Sequence, residues 1–240
     1  MTKLKISPKV IFRLSLVLAL IILPAVSLIN GVFGSFLFTF SIPLIWQVGL
    51  RGESLDSLGL KARSIASLII RGAFTGCIIG YLGGTLLWLF GLTGYSFSEA
   101  HKLLFTIGPL KAVFPLQQEL GYRLLKLSDS PGGIAAYLIF SIFVIGLGEE
   151  LFWRGFIQKK ISHYCVVESA IWITAVLFAL AHFYVFTILP FDEGVYFLVL
   201  AAIGGAVWGY SFKYYNTIWP CAISHGVASF IIWRYYFFIS

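Results

Sequence analysis

The fold is decided by the stretch Gly146-Leu147-Gly148-Glu149-Glu150-Leu151-Phe152-Trp153-Arg154-Gly155-Phe156. It places two carboxylates and a guanidinium close together in a run that is otherwise apolar from Ile134 to Ile157. Each such group at the centre of a membrane helix costs about 2.5–3.5 kcal/mol on insertion scales. A segment that only fills a bilayer has no reason to carry three of them. This stretch therefore predicts a functional site inside a membrane helix.

The composition is that of an integral membrane protein. Of the 240 residues, 59% are hydrophobic and 11% are charged, whereas charged residues make up about 25% of a soluble domain. Long apolar runs recur along the chain, which predicts an all-α, polytopic transmembrane helix bundle forming one domain over residues 1–240. A membrane β-barrel would instead show short segments of alternating hydrophobicity.

Seven spans are predicted, or eight if the middle of the chain holds a further one. The first two form an N-terminal helical hairpin over 10–50, and residues 134–229 contain the candidate catalytic core helices. Residues 1–27 also fit a signal peptide, because Ala25-Val26-Ser27 resembles a cleavage site, and the segment 92–132 allows no clear assignment. The predicted spans are 10–29, 32–50, 72–90, 134–157, 169–189, 195–212 and 217–237. A turn is predicted at 190–194 and a short polar loop at 213–216.

The net charge of +7 is interpreted as a signal of orientation and not of nucleic-acid binding. Lys and Arg accumulate in cytoplasmic loops. With the N-terminus inside, twelve basic residues lie on the cytoplasmic side and five on the other. We therefore expect a cytoplasmic N-terminus, a lipid bilayer as the surroundings and no nucleic-acid partner.

Small residues predict close packing between helices. Gly72, Gly76, Gly80 and Gly84 recur every four residues, and Gly205 and Gly209 form a second such motif, so each set lines one helix face. The three cysteines are far apart in or near apolar segments, which predicts packing residues without disulfides. They are Cys77, Cys165 and Cys221.

Three ionisable residues on different helices are predicted to meet. Counted from the expected cytoplasmic helix ends, Glu149, His225 and His182 lie about 15, 14 and 21 Å deep. Buried charged groups in a bilayer pair with one another or line a water-filled cavity, so we expect one site, open to the cytoplasm. Glu150 and Arg154 are spaced i,i+4 and are expected to neutralise each other. Glu149 is then the carboxylate available for a catalytic role.

Glu149 is the candidate general base, since a carboxylate in a poorly hydrated pocket can take a proton from water near neutral pH. The two histidines beside it could bind a metal, or hold a water and polarise a carbonyl. Cys221 or a serine as the nucleophile is less favoured, because small buried cysteines are common and no Asp accompanies the serines. Trp153 and Phe178 are expected to wall the cavity and are candidates for contacting a substrate.

Three motifs resemble those of the CAAX protease and bacteriocin-processing family, also described as CAAX amino-terminal or Abi proteases. They are Glu149-Glu150-x-x-x-Arg154, Phe178-x-x-x-His182 and His225-x-x-x-Ser229. The resemblance covers about Leu55 to Ser229. It implies an intramembrane endopeptidase that cleaves peptide or lipidated-protein substrates near the cytoplasmic face. The family's distribution suggests a multi-pass protein of the bacterial cell membrane.

The resemblance also implies roles for these residues. Glu149 activates the attacking water, and His182 and His225 complete the site. It leaves open whether His182, His225 and Glu149 bind Zn²⁺ or whether the enzyme is a metal-free glutamate protease. If Glu149 is a metal ligand, Glu150 is the nearest alternative base.

Ser229 departs from the family pattern, which usually has Asn or Asp at this position. A hydroxyl can donate one hydrogen bond to a developing oxyanion, but it reaches less far than an amide. This departure keeps a second hypothesis open, a binding or immunity protein on the same scaffold without turnover. A proton-coupled transporter is a third, because buried carboxylates and histidines also mark proton relays, although the sequence shows no internal repeat.

Overall fold

The structure, a computed structural model, describes residues 39–61, 64–89, 130–187, 191–232 and 234. Over these ranges the chain is helical and contains no strand, which confirms the all-α fold class. The predictions for the span 10–29, for the signal peptide 1–27 and for most of the segment 92–132 lie outside the described residues. The number of spans and the side of the N-terminus therefore stay predictions.

The longer helices of the described residues are numbered α1 to α6 in chain order. Three of them, α2, α3 and α5, are long and apolar enough to cross a membrane by length and composition. Short 3₁₀ turns lie at Leu55–Leu58 and Phe183–Thr187. The helices are α1 Thr39–Leu50, α2 Ile65–Leu89, α3 Pro131–Ile161, α4 Val167–Ala181, α5 Phe191–Tyr215 and α6 Trp219–Ile232.

Some helix boundaries differ from the predictions because polar residues also suit helix ends. The predicted turn at 190–194 was wrong from Phe191 onward, since α5 begins there and holds Asp192 and Glu193 in its first turn. Acidic side chains in that position complement the partial positive charge of a helix N-terminus. The predicted loop at 213–216 was wrong for the same kind of reason, because α5 continues to Tyr215 with Lys213 in its last turn.

Helix α3 changes its geometry on both sides of the two glutamates. Ser141–Gly146 and Leu151–Gln158 are π-helical, and Leu147–Glu150 between them is α-helical. Segments with π geometry are rare and often occur at functional sites. All residues of Leu151–Gln158 are buried, so this part of α3 lies in the protein interior on every face.

Helix α6 packs against α2 through the predicted glycine stripe. A Cβ atom built on Gly72, Gly76 or Gly80 would lie 2.7–2.9 Å from side-chain or backbone atoms of α6. Real Cβ contacts are not this short, so only glycine permits this distance between the two backbones. The prediction that this stripe serves packing is confirmed for these three positions.

Helix α6 also crosses α3 at a pair of facing glycines. A Cβ atom on Gly146 would overlap the carbonyl oxygen of Ala222, and one on Gly226 would overlap the backbone of Ile142. The backbones of the two helices are therefore in direct contact one turn from Glu149 and Glu150. This crossing brings the carboxylates of α3 to the histidine of α6.

The second glycine motif joins α5 to α4. A Cβ atom on Gly205 would lie 3.1 Å from the Cα atom of Ala175, and one on Gly209 would lie 2.7 Å from the side chain of Ile171. The predicted packing role is confirmed here too. The three cysteines are free, as expected.

Candidate active site

Glu150 is the ionic centre of the site. Its Oε1 atom accepts a hydrogen bond from Arg154 Nη1 at 2.9 Å and lies 2.8 Å from His225 Nδ1. The side chains of Glu150 and Arg154 are both fully buried. The predicted pair is confirmed, but Glu150 also holds the histidine, which the spacing did not predict. Because an ionised carboxylate can only accept, the Nδ1 hydrogen of His225 is assigned as donated to Glu150.

Glu149 faces the other nitrogen of the same imidazole. Its Oε2 atom lies 3.8 Å from His225 Nε2, which is too far for a direct hydrogen bond. This Oε2 atom is buried without a hydrogen-bond partner in the described structure, although 12% of the side chain is exposed. A water molecule lying to one side of these two atoms can contact both of them.

Arg154 ties α3 to α5. Its Nη2 atom donates to the backbone oxygen of Gly205 at 2.6 Å. Its guanidinium carbon lies 5.2 Å from the ring centre of Phe178 and 5.6 Å from that of Trp208, which adds cation–π attraction. One turn later, Gln158 donates to the backbone oxygen of Gly209 at 3.2 Å. The glycine face of α5 thus presents carbonyl acceptors to the polar residues of α3.

Two aromatic rings enclose the imidazole of His225. Trp208 stacks on it with ring centres 3.9 Å apart and planes 15° from parallel. Phe178 meets it edge-on at 5.8 Å and 77°. The indole nitrogen of Trp208 donates to Ser224 Oγ at 3.1 Å. Trp208 was not among the predicted site residues; its signal in the sequence was its place beside Gly209, on the helix that carries the packing motif.

His182 lies at the C-terminal end of α4 and is half-buried. Its Nδ1 atom is 2.8 Å from the backbone oxygen of Phe178, and since a carbonyl oxygen only accepts, we assign the hydrogen to Nδ1. Its ring lies 4.7 Å from the ring of Phe178. The Phe178 ring therefore contacts both histidines, which joins α4 to the Glu150–His225 centre.

The remaining predicted site residues lie around this centre. Trp153 and Phe178 are 1% and 2% exposed and pack edge-on against each other at 5.6 Å. They form buried walls of the site, and contact with a substrate stays a prediction for both. Ser229 is half-buried on α6, one helical turn after His225.

The alternative of a zinc site, left open by the sequence, names His182, His225 and Glu149 as its ligands. Within the described ranges, no three His, Cys, Asp or Glu side chains are grouped so that they could hold one metal ion. His225 directs Nδ1 to Glu150 and His182 directs Nδ1 to Phe178. The arrangement of His182, His225 and Glu149 does not fit a three-ligand site.

Residues 131–231 match the family model described as Type II CAAX prenyl endopeptidase Rce1-like. No curated protein and no solved structure matches the chain. The matched range holds the three sequence motifs and all the residues of the site, so the resemblance to the CAAX protease family is confirmed over this range. Together with the three apolar helices, it supports a membrane protein with an intramembrane protease kind of function.

Proposed function

We propose that the CAAX protease region, residues 131–231, is the catalytic part of an intramembrane endopeptidase in which Glu149 activates the attacking water. The observation that carries this proposal is the 3.8 Å gap between Glu149 Oε2 and His225 Nε2. A water beside these two atoms donates one hydrogen to the carboxylate and the other to Nε2. Its lone pairs are then free to attack a peptide carbonyl.

The two glutamates have different roles in this mechanism. Glu150 accepts the Nδ1 hydrogen of His225 and is itself balanced by Arg154, so it fixes the imidazole with Nε2 as an acceptor. Glu149 takes a proton from the water as the oxygen attacks the carbonyl carbon. It then delivers this proton to the leaving nitrogen, and the carbon–nitrogen bond breaks. One water and one peptide bond yield a carboxylic acid and an amine.

The developing oxyanion needs a hydrogen-bond donor. We assign this role to the hydroxyl of Ser229, which follows His225 by one turn on α6. His182 completes the site from α4, with its Nδ1 hydrogen held by the backbone oxygen of Phe178. This mechanism uses no Zn²⁺, and we propose a metal-free glutamate-type peptidase.

The substrates proposed are membrane-associated or lipidated peptides, cut near the cytoplasmic face of a multi-pass protein in the bacterial cell membrane. Lys159 and Lys160 at the end of α3 support this face, because basic residues mark the cytoplasmic ends of membrane helices. Glu149 precedes Lys159 by ten residues, which is somewhat less than three turns of helix.

The test is peptide cleavage by the full chain purified in detergent. A library of peptides with lipid tails is read by mass spectrometry for the wild type, Glu149→Ala, His182→Ala and Glu168→Ala. Glu168 pairs with Lys213 on the surface, so it is a matched control for loss of a glutamate. We expect cleavage to survive in the control, to be lost in the other two variants and to resist a chelator.

Each alternative outcome has a defined meaning. Cleavage that disappears with the chelator, together with stoichiometric zinc in elemental analysis, would contradict the metal-free mechanism. Cleavage that survives in Glu149→Ala would remove Glu149 from the role of base. No cleavage by the folded wild type would refute the protease proposal.

A non-catalytic binding or immunity protein is the second candidate, and Ser229 favours it. The usual amide or carboxylate of the family's third motif is replaced here by a shorter hydroxyl. This candidate predicts that Glu149→Ala leaves the cellular phenotype unchanged.

A further inference from the structure

Trp208 is buried at the centre of the site, but none of the three motifs contains it. It is 6% exposed and lies on α5, whereas the residue on which it stacks, His225, lies on α6. Of the rings that contact the imidazole, it is the one that lies parallel to it. The family match and the proposed function give this residue no role.

The indole is held in place by its own contacts. Its Nε1 atom donates to Ser224 Oγ at 3.1 Å, and Ser224 is 1% exposed. The backbone oxygen of Trp208 accepts a hydrogen bond from the Cys221 thiol at 3.3 Å. On α6, Ser224 lies one residue before His225 and Cys221 lies four residues before it. The indole is therefore fixed to the same helix that carries the imidazole.

A stacked ring restrains a motion that the Glu150 hydrogen bond leaves free. The bond from Nδ1 to Glu150 fixes one corner of the imidazole, but the ring can still tilt about the axis of that bond. Tilting would move Nε2 away from Glu149 Oε2, from which it is already 3.8 Å distant. A flat indole surface at 3.9 Å blocks this tilt on one side.

We propose that Trp208, fixed by Ser224, is a positioning residue that holds the His225 imidazole so that Nε2 faces Glu149 and both can contact one water. This inference rests on the proposed function for its catalytic consequence. The geometric part of the inference, an imidazole restrained by an indole, does not depend on the proposed function. Displacing a reacting group by about 1 Å can lower the rate by a factor of about 100. We therefore expect the loss of Trp208 to lower kcat.

The kinetic test compares substitutions that remove parts of this arrangement. Trp208→Leu removes the aromatic surface, and we expect kcat to fall about 100-fold with little change in KM. Trp208→Phe keeps a flat ring and should recover most of that loss. Ser224→Ala only frees the indole and should lower kcat by a smaller factor than Trp208→Leu. The matched control is Trp172→Leu, since Trp172 is 53% exposed and packs against Tyr210 away from the site; it should match the wild type.

A second readout does not depend on activity. In protein labelled with ¹³C at histidine Cε1, the His225 resonance is identified by its loss in His225→Asn. The stacked indole should shift its proton upfield in the wild type and in Trp172→Leu, and Trp208→Leu should remove that shift. If Trp208→Leu does not fold, the kcat values of Trp208→Phe and Ser224→Ala and the wild-type shift decide the question.

The two proposals fail in different ways. A wild type that shows the upfield shift but cleaves nothing keeps the restrained imidazole and refutes the protease function. A wild type that cleaves, with Trp208→Leu within about threefold of its kcat or altered only in KM, refutes the positioning role. A wild-type His225 proton at an ordinary shift also refutes it.

Discussion

Replacing Glu150 by alanine should destabilise the protein, whereas replacing the adjacent Glu149 should stop cleavage with little loss of stability. Glu150→Ala removes the acceptor of two hydrogen bonds, 2.9 Å from Arg154 and 2.8 Å from His225. The guanidinium then remains fully buried without its ion-pair partner. Glu149→Ala removes a carboxylate that makes no direct hydrogen bond at Oε2, so the interior loses little.

The expected size follows from these contacts. Hydrogen bonds to charged groups contribute about 1.5–3 kcal/mol each, and breaking a buried ion pair from one side costs about 3–5 kcal/mol. We therefore expect Glu150→Ala to lower the free energy of unfolding by about 3–5 kcal/mol. For a chain of this size, that lowers the melting temperature by about 6–20 °C. Glu149→Ala should stay within about 1 kcal/mol of the wild type while cleavage falls by a factor of about 10²–10⁴.

The assay is thermal unfolding in detergent, followed by intrinsic fluorescence, with cleavage measured on the same preparations. Both variants differ from the wild type by the same loss of atoms, so each is the control for the other. Equal melting temperatures for the two variants would refute this prediction. It would also be refuted by a stable Glu150→Ala protein, because the Arg154 guanidinium would then have found other stabilising contacts.

Two further predictions concern glycine packing and the third motif. Gly146→Ala forces a Cβ atom onto the Ala222 carbonyl and should lower the free energy of unfolding by about 1–3 kcal/mol and reduce cleavage. Gly132→Ala, with open space around Gly132, should lower neither stability nor cleavage. Equal melting temperatures for the two variants would contradict the close crossing of α3 and α6 at Gly146. Ser229→Asn supplies an amide that reaches further than the hydroxyl and should raise kcat by about tenfold. Its control is Ser64→Asn at an exposed position, and an unchanged kcat in Ser229→Asn would remove Ser229 from the oxyanion site.

Pairing within one helix could be predicted from the sequence, whereas pairing between helices could not. Residues spaced i,i+4 on one helix meet by local geometry, so Glu150 and Arg154 could be paired from spacing alone. Which acid reaches His225 depends on how α3 is rotated relative to α6. That rotation is set by the Gly146 crossing and by the π-helical turns of α3, and neither follows from a period of 3.6 residues.

Long-range aromatic contacts could not be predicted from the sequence either. Trp208 and His225 are 17 positions apart, on two helices joined by a short connection at 216–218, and their stacking depends on both helices' packing. The predicted turn at 190–194 failed for a different reason. Asp, Glu and Gly after a proline suit a turn and a helix N-terminus equally well, so local composition could not separate them.

The ion pair of α3 also affects the order in which the protein can be assembled. The ribosome makes α3 before α5 and α6, so the Gly205 carbonyl and His225 do not yet exist when Arg154 and the glutamates reach the membrane. At that moment Glu150 and Arg154 can already neutralise each other, because both belong to the same helix. Glu149 has no such partner until α6 arrives. The nascent helix therefore enters the bilayer with one uncompensated charge instead of three, and α6, which is made after α3 and α5, completes the site.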